Sequence, residues 1–345
     1  MWNNVLGHTQ IKEFLANYLS KDERPHALLF SGAEGLGKKK LALEFARSLL
    51  CFNHIDGDGC EACRLMNISD GNFSHPDFLH IHREEDSKTH RLKDLSIDQI
   101  RDLTSKSAFA PVMSSTKVCI VEDIDRMSEA AANSFLKLLE EPPVGWIFIL
   151  LATSADKLLS TILSRVVHLR FHSIPLPLVE KALAEYEFVD EKNNKAMIPK
   201  EQVPVLARLS EGSLGLAIQF SQNNVINYRE QAYAFLEVLP LTSPLRYING
   251  RVWVEKYERP EALLFVQLLQ LLLRDMLACK LEISSELYNC DLQDKLQELA
   301  TKWKLKNIRA ALNIVNETYS ALIANVGVKL AMEALALKID KISKE

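Results

Sequence analysis

The chain carries little surplus of charge of either sign. Its 41 lysines and arginines nearly balance 45 aspartates and glutamates, for a net of −4. The bulk positive charge that coats nucleic acid is therefore missing, although a local basic track is not excluded. No apolar run reaches the ~18 residues that a membrane helix needs, so no membrane association is expected. The opening residues Met1-Trp2-Asn3-Asn4 lack a basic stretch followed by an apolar one and do not read as a signal peptide. A cytosolic protein is expected. Its six cysteines then read as reduced thiols or metal ligands rather than disulfides. Internal repeats and low-complexity tracts are also absent.

What is present is an ordinary globular composition, 48% hydrophobic and 25% charged over 345 residues. That length predicts about two or three domains. In the first ~170 residues apolar strand-like runs alternate with amphipathic helical segments. Strands are expected at Ala27–Ser31, Phe78–His82, Lys117–Val121, Trp146–Ala152 and Val166–Phe171. Helices are expected at Lys38–Leu50, at Ile97–Ser107 behind a Ser96 cap, and at Ala130–Leu139, stopped by Pro142-Pro143. This alternation predicts a parallel α/β sheet with ligands at the carboxyl ends of its strands. After Pro175 and Pro177 short helices follow at Val179–Tyr186, Gln202–Leu209 and Leu214–Phe220, and the chain reads as helical from about Asn223. Boundaries are placed near 171 and 222. The charged segment Arg83–Asp94 reads as a mobile surface loop.

One loop carries the most information. Gly32-Ala33-Glu34-Gly35-Leu36-Gly37-Lys38-Lys39 follows the P-loop pattern up to its last position, where a Mg²⁺-binding hydroxyl is replaced by Lys39. Gly32, Gly35 and Gly37 let backbone N–H groups turn toward phosphate at a helix N-terminus, and Lys38 stands where it would reach the β- and γ-phosphates. The alternative is a retained structural loop that binds nothing. Farther along, Glu122-Asp123 ends the Lys117 strand. Cys51, Cys60 and Cys63 keep the first three spacings of a C-x₈-C-x₂-C-x₂-C zinc pattern, whose fourth position is Met66, a poor zinc ligand. His54 or His75 could complete a structural zinc site; otherwise the loop is vestigial. Cys119, Cys279 and Cys290 read as core or helix-surface residues.

These pieces, together with Val5-Leu6-Gly7-His8, Ala131–Pro143, Leu151-Ala152-Thr153 and Leu163-Ser164-Arg165, resemble bacterial clamp-loader subunits of the AAA+ class. The resemblance is strongest to the delta-prime type of the DNA polymerase III clamp loader. It covers residues 1–220 specifically and the helical tail loosely, through Asn325–Glu333. It implies an AAA+ α/β domain over 1–171, a small helical lid over 172–222 and an all-α collar over 223–345. It also implies motor and delta subunits as partners, along with a sliding clamp and primer–template DNA.

The resemblance further assigns roles to single residues. Glu122-Asp123 matches a Walker B site with its two acids in reversed order. The first would hold Mg²⁺ and the second would orient the attacking water. Gly215 stands where motor chains carry a second sensor arginine, and Thr153 where they carry the first sensor. Lys39, the reversed acids and Gly215 together imply that ATP/Mg is not productively used by this chain. Ser164-Arg165 matches a Ser-Arg-Cys motif, with Val166 in place of the cysteine. Arg165 is then an arginine finger offered in trans, and Arg165→Ala should leave the chain folded but lower the ATPase of the assembled ring. Arg101 and Lys106 would lie near the DNA, where contacts would be to phosphates. Phe265, Leu268, Leu269, Leu272, Leu273 and Met276 divide between intradomain core and ring contacts. The alternative function is an active motor subunit.

Overall fold

Five runs of apolar residues build one parallel sheet. In a computed structural model of the protein, residues 2–21, 23–51, 59–68, 71–85, 92–189, 195–239, 257–283 and 287–344 are described. With the short strands Met66–Asn67 and Asn72–Phe73 numbered β2 and β3, the sheet strands are β1 (Ala27–Ser31), β4 (Phe78–Ile81), β5 (Lys117–Val121), β6 (Trp146–Ala152) and β7 (Val167–Arg170), in the spatial order β4-β5-β6-β1-β7. Every position of β1, β5 and β6 is buried, as expected where helices cover both faces.

The two faces separate by sequence parity. Leu28, Phe30, Val118, Ile120, Ile147 and Ile149 join one core cluster. Leu29, Cys119, Val121, Phe148 and Leu150 join the other. Side chains alternate along a strand, so a one-residue slip would exchange the two cores. The first face is covered by α1 (Thr9–Leu19) and α2 (Lys38–Leu50); with the short helix Glu61–Leu65 counted as α3, the second is covered by α4 (Ile97–Ser107) and α5 (Glu129–Glu140). Each fully buried Leu or Phe here contributes roughly 1.5–3 kcal/mol. The Ser96 cap is present as a full capping box, its hydroxyl accepting from Gln99 N while the Gln99 side chain accepts from Ser96 N.

Several local features depart from the pattern read in the sequence. Two short hairpins were not legible there, Met66–Asn67 with Asn72–Phe73 and Glu187–Val189 with Lys195–Met197. Such two- and three-residue strands are too short to carry periodicity. The segment from Arg83 is tied at its ends rather than loose. Arg83 donates to the carbonyls of Lys93 and Leu92, and Glu85 bridges Leu92; residues 86–91 lie outside the described residues. The helix expected from Val179 starts at Leu176 and takes in Pro177, because a first-turn proline gives up no helical hydrogen bond.

The described residues form two units. One comprises Met1–Leu178 with Ser213–Gly215; the other comprises Val179–Gly212 with Leu216–Glu345. Within the second unit, Val205 and Leu209 share a single core with the helices Arg259–Lys280, Leu305–Ile323 and Val328–Ser343. Arg259–Lys280 is long and apolar enough to cross a membrane. Here it is the central core helix, with Phe265, Leu268, Leu269, Leu272, Leu273 and Met276 all buried. Its buried Asp275 accepts from the backbone N–H groups of Tyr288 and Asn289.

Candidate functional site

The glycine-rich loop lies at the carboxyl end of β1, between that strand and α2. Its shape demands glycine. Gly32 has φ +148°, and a Cβ there would meet the Phe171 carbonyl oxygen at 2.5 Å. His8 braces the loop from outside, its Nε2 lying 2.9 Å from the Leu36 carbonyl, and burial lowers the basicity of the ring.

Lys38, expected from the sequence to reach phosphates, is turned onto its own loop. Lys38 Nζ donates to the carbonyls of Gly32 and Ala33 at 2.5 and 2.6 Å. Burial lowers the Lys38 pKa, against the pull of Glu34, Asp125 and Asp123. Lys39 reaches across to β5, where its Nζ lies 2.8 Å from Glu122 Oε1. His80 Nε2 bonds the same carboxylate oxygen. Burial pushes the Glu122 carboxyl up, but hydrogen bonds from His80 and Lys39 outweigh it and leave the pKa below the usual carboxylate value.

Asp123 has a left-handed backbone, φ +50°, and its Oδ2 lies 4.0 Å from Arg83 Nη1. Its pKa is raised, mainly by burial. Thr153, at the end of β6, gives both its N–H and its hydroxyl to Asp125, at 3.2 and 2.5 Å. The Ser213–Gly215 segment lies on the loop. Ser213 Oγ donates to the Glu34 carbonyl and Gly215 N to the Gly35 carbonyl, each at 2.9 Å. A side chain at 215 would begin 2.7 Å from Gly35 Cα. The fold thus brings Gly32, Gly35, Gly37, Lys38, Glu122, Asp123, Thr153 and Gly215 to one end of the sheet. A divalent cation does not fit among them, because Lys39 stands on the carboxylate that would hold it.

Arg165 follows the short helix Ser160–Leu163 and is a third exposed. Its Nη1 donates to the Thr161 carbonyl at 2.8 Å and to Ser164 Oγ at 3.1 Å; its Nη2 lies 2.8 Å from Glu140 Oε1. Glu140 is the last residue of α5. On α4, Arg101 pairs with Asp98 at 3.3 Å and Lys106 with Asp102 at 2.7 Å, all four exposed.

The cysteines form a second candidate site. Cys51 caps the end of α2, and Cys60 and Cys63 sit one turn apart at the start of the helix Glu61–Leu65. The three sulfurs lie within 4.8 Å of one another, with Cys51 and Cys60 3.8 Å apart. A zinc tetrahedron with bonds of roughly 2.3 Å spaces its sulfurs by roughly 3.8 Å, so the thiol set fits zinc. Met66 is no ligand: it is fully buried in the core and pairs with Phe73. His75 is committed elsewhere. Its Nδ1 accepts from Asp77 N at 3.1 Å, and its Nε2 lies 3.4 Å from Ser114 Oγ. His54 lies outside the described residues.

Sequence reasoning missed His8, His80, Asp125 and Glu140 as members of these sites. His80 alternates with core residues along β4, and Glu140 sits inside the Ala131–Pro143 motif, but their partners come from distant segments.

Comparison with known proteins gives a consistent picture. A family described as "DNA polymerase III, delta subunit" matches residues 7–175, and its "C terminal" counterpart matches residues 253–341. The chain is 28% identical to DNA polymerase III subunit delta′ of Bacillus subtilis, over 96% of each chain. It is 27% identical to that of Haemophilus influenzae, over 90% of this chain and 88% of the relative. With DNA polymerase III subunit tau of Escherichia coli it shares 32% identity, over 64% of this chain but only 32% of tau. Among solved structures, a DNA polymerase III gamma-subunit-related protein of Thermotoga maritima superposes with a TM-score of 0.52 at 17% identity, over 96% and 99% of the two chains. That likeness is one of fold, a parallel sheet followed by helices.

Proposed function

Because this chain belongs to the family of DNA polymerase III delta subunits, we propose that it is the stator of a clamp loader: a non-motor subunit that helps place a sliding clamp on primed DNA. In this reading the chain works in the cytoplasm beside motor and delta-type subunits. It does not turn over ATP by itself, and it offers Arg165 in trans to a neighbour's ATP site. A planar guanidinium suits this task, since it can pair two phosphate oxygens at once. Residues 172–222 act as lid and 223–345 as collar. Arg101 and Lys106 meet DNA phosphates by exchanging their aspartate partners, and a structural zinc closes the cysteine cluster.

The observation that carries the reading is the contact of Gly215 with Gly35. In a motor chain that position would have to carry a long cationic side chain, and the space for even a Cβ is filled by the loop backbone. The experiment is steady-state ATP turnover with Mg²⁺ and primed DNA, first on the chain alone and then on a reconstituted ring. The expected result is no turnover by the chain alone, with ring turnover lowered by Arg165→Ala. Turnover by the isolated chain that Lys38→Ala abolishes would make it a motor subunit.

A further inference from the structure

A P-loop fold implies a divalent cation between the residue after the loop lysine and the acid that ends a neighbouring strand. Here both seats around that position are taken by the chain's own cations. Lys39 Nζ lies 2.8 Å from Glu122 Oε1, and His80 bonds the same oxygen. Arg83 stands 4.0 Å from Asp123, held in place by the carbonyls of Lys93 and Leu92.

Strand register produces this arrangement. His80 is paired with Ile120 across β4 and β5, and Glu122 lies two residues beyond Ile120. Residues two apart share a face, so His80 and Glu122 both point to the side that α2 covers. Lys39 in the first turn of α2 then meets Glu122 from above.

We infer that the Lys39 ammonium occupies the seat of the divalent cation and ties the start of α2 to the end of β5 as a closed ion pair that takes no metal. Mg²⁺ and Mn²⁺ are hard ions that want several oxygen ligands with strict geometry. Lysine offers three donors and no acceptor, so it can satisfy the carboxylate but cannot ligate a metal. A dication placed here would also meet the Lys39 ammonium and be repelled by it. This inference concerns cation binding by the chain itself and holds whether or not Arg165 acts in a neighbour's site.

The test is Mn²⁺ binding, read by water-proton relaxation on the full chain with Mn²⁺ alone as the probe. The wild type should bind Mn²⁺ no better than E122Q does. Lys39→Thr should bind it about tenfold or more tighter than wild type, and E122Q in that background should remove the gain. Lys39→Ser serves as a second variant, and thermal unfolding checks that each variant is folded. Equal Mn²⁺ affinity of wild type and both position-39 variants would overturn the inference. So would a wild-type affinity that E122Q lowers, a comparison that needs no change at position 39. Failure of the stator reading would show instead as turnover by the isolated chain or as ring turnover unchanged by Arg165→Ala, both separate results.

Discussion

Gly215 rests directly on Gly35. Its N–H donates to the Gly35 carbonyl at 2.9 Å, and a Cβ at 215 would come within 2.7 Å of Gly35 Cα. The obstacle is backbone, not the end of a flexible side chain, so it cannot swing aside. Gly215→Ala should therefore destabilise the chain by about 1–3 kcal/mol, the usual cost of forcing an extra carbon into a packed site. Urea unfolding measures it. Gly215→Arg should be worse and should not confer ATP turnover; an unchanged midpoint would mean the loop yields easily.

Glu140 holds the guanidinium of Arg165 at 2.8 Å, with the Thr161 carbonyl and Ser164 hydroxyl as further acceptors. The pair is half exposed, so Glu140→Gln should change stability by less than about 1 kcal/mol. In a reconstituted ring it should reduce turnover far less than Arg165→Ala, which in the proposed finger role removes a charge worth roughly 10³-fold or more. Equal losses from the two variants would make Glu140 an essential partner of the finger rather than its holder.

Glu122 should make stability depend on acid. Burial raises its pKa, but the bonds from His80 and Lys39 win, so the folded value lies below the ordinary one near 4.5. A carboxyl depressed on folding stabilises above its unfolded pKa, and the contribution fades as pH falls through the folded value. Denaturation midpoints of wild type and Glu122→Gln should differ at neutral pH and converge as the pH falls from 4.5 through the lower folded value. A constant difference across that range would contradict the assigned ion pair.

Zinc should be recoverable from the purified chain at about one equivalent. Cys63→Ser should lose it, and a strong chelator should lower the melting temperature of wild type but leave that of Cys63→Ser unchanged. Metal analysis on acid-released samples decides the matter. A chain that carries no zinc yet melts like the chelated protein would leave the three thiols as core residues only.

The sequence by itself determined the elements of the α/β sheet. The strands Ala27–Ser31, Lys117–Val121 and Trp146–Ala152 and the helices Lys38–Leu50 and Ile97–Ser107 were readable to the residue. Continuous apolar runs, a cap and a proline stop are local signals, and glycine spacing with a following lysine is local too. The three cysteines were also visible as a group, because their spacing lies within one short stretch.

What only the tertiary structure decided is how the remnants are used. Lys39 was legible as a lost hydroxyl, but its ion pair with Glu122 depends on the register of β4 against β5 and on the face that α2 covers. Gly215 was legible as a lost arginine; that it has no room for a side chain follows from its packing on Gly35, far away in the chain. Arg165 was legible as a motif, but its hold by Glu140 was not. The single core joining Val205 and Leu209 to the tail helices was likewise hidden behind an expected boundary at 222. In each case the deciding partner lies many residues away, and side-chain contacts across that separation are set by packing geometry rather than by any pattern within one segment.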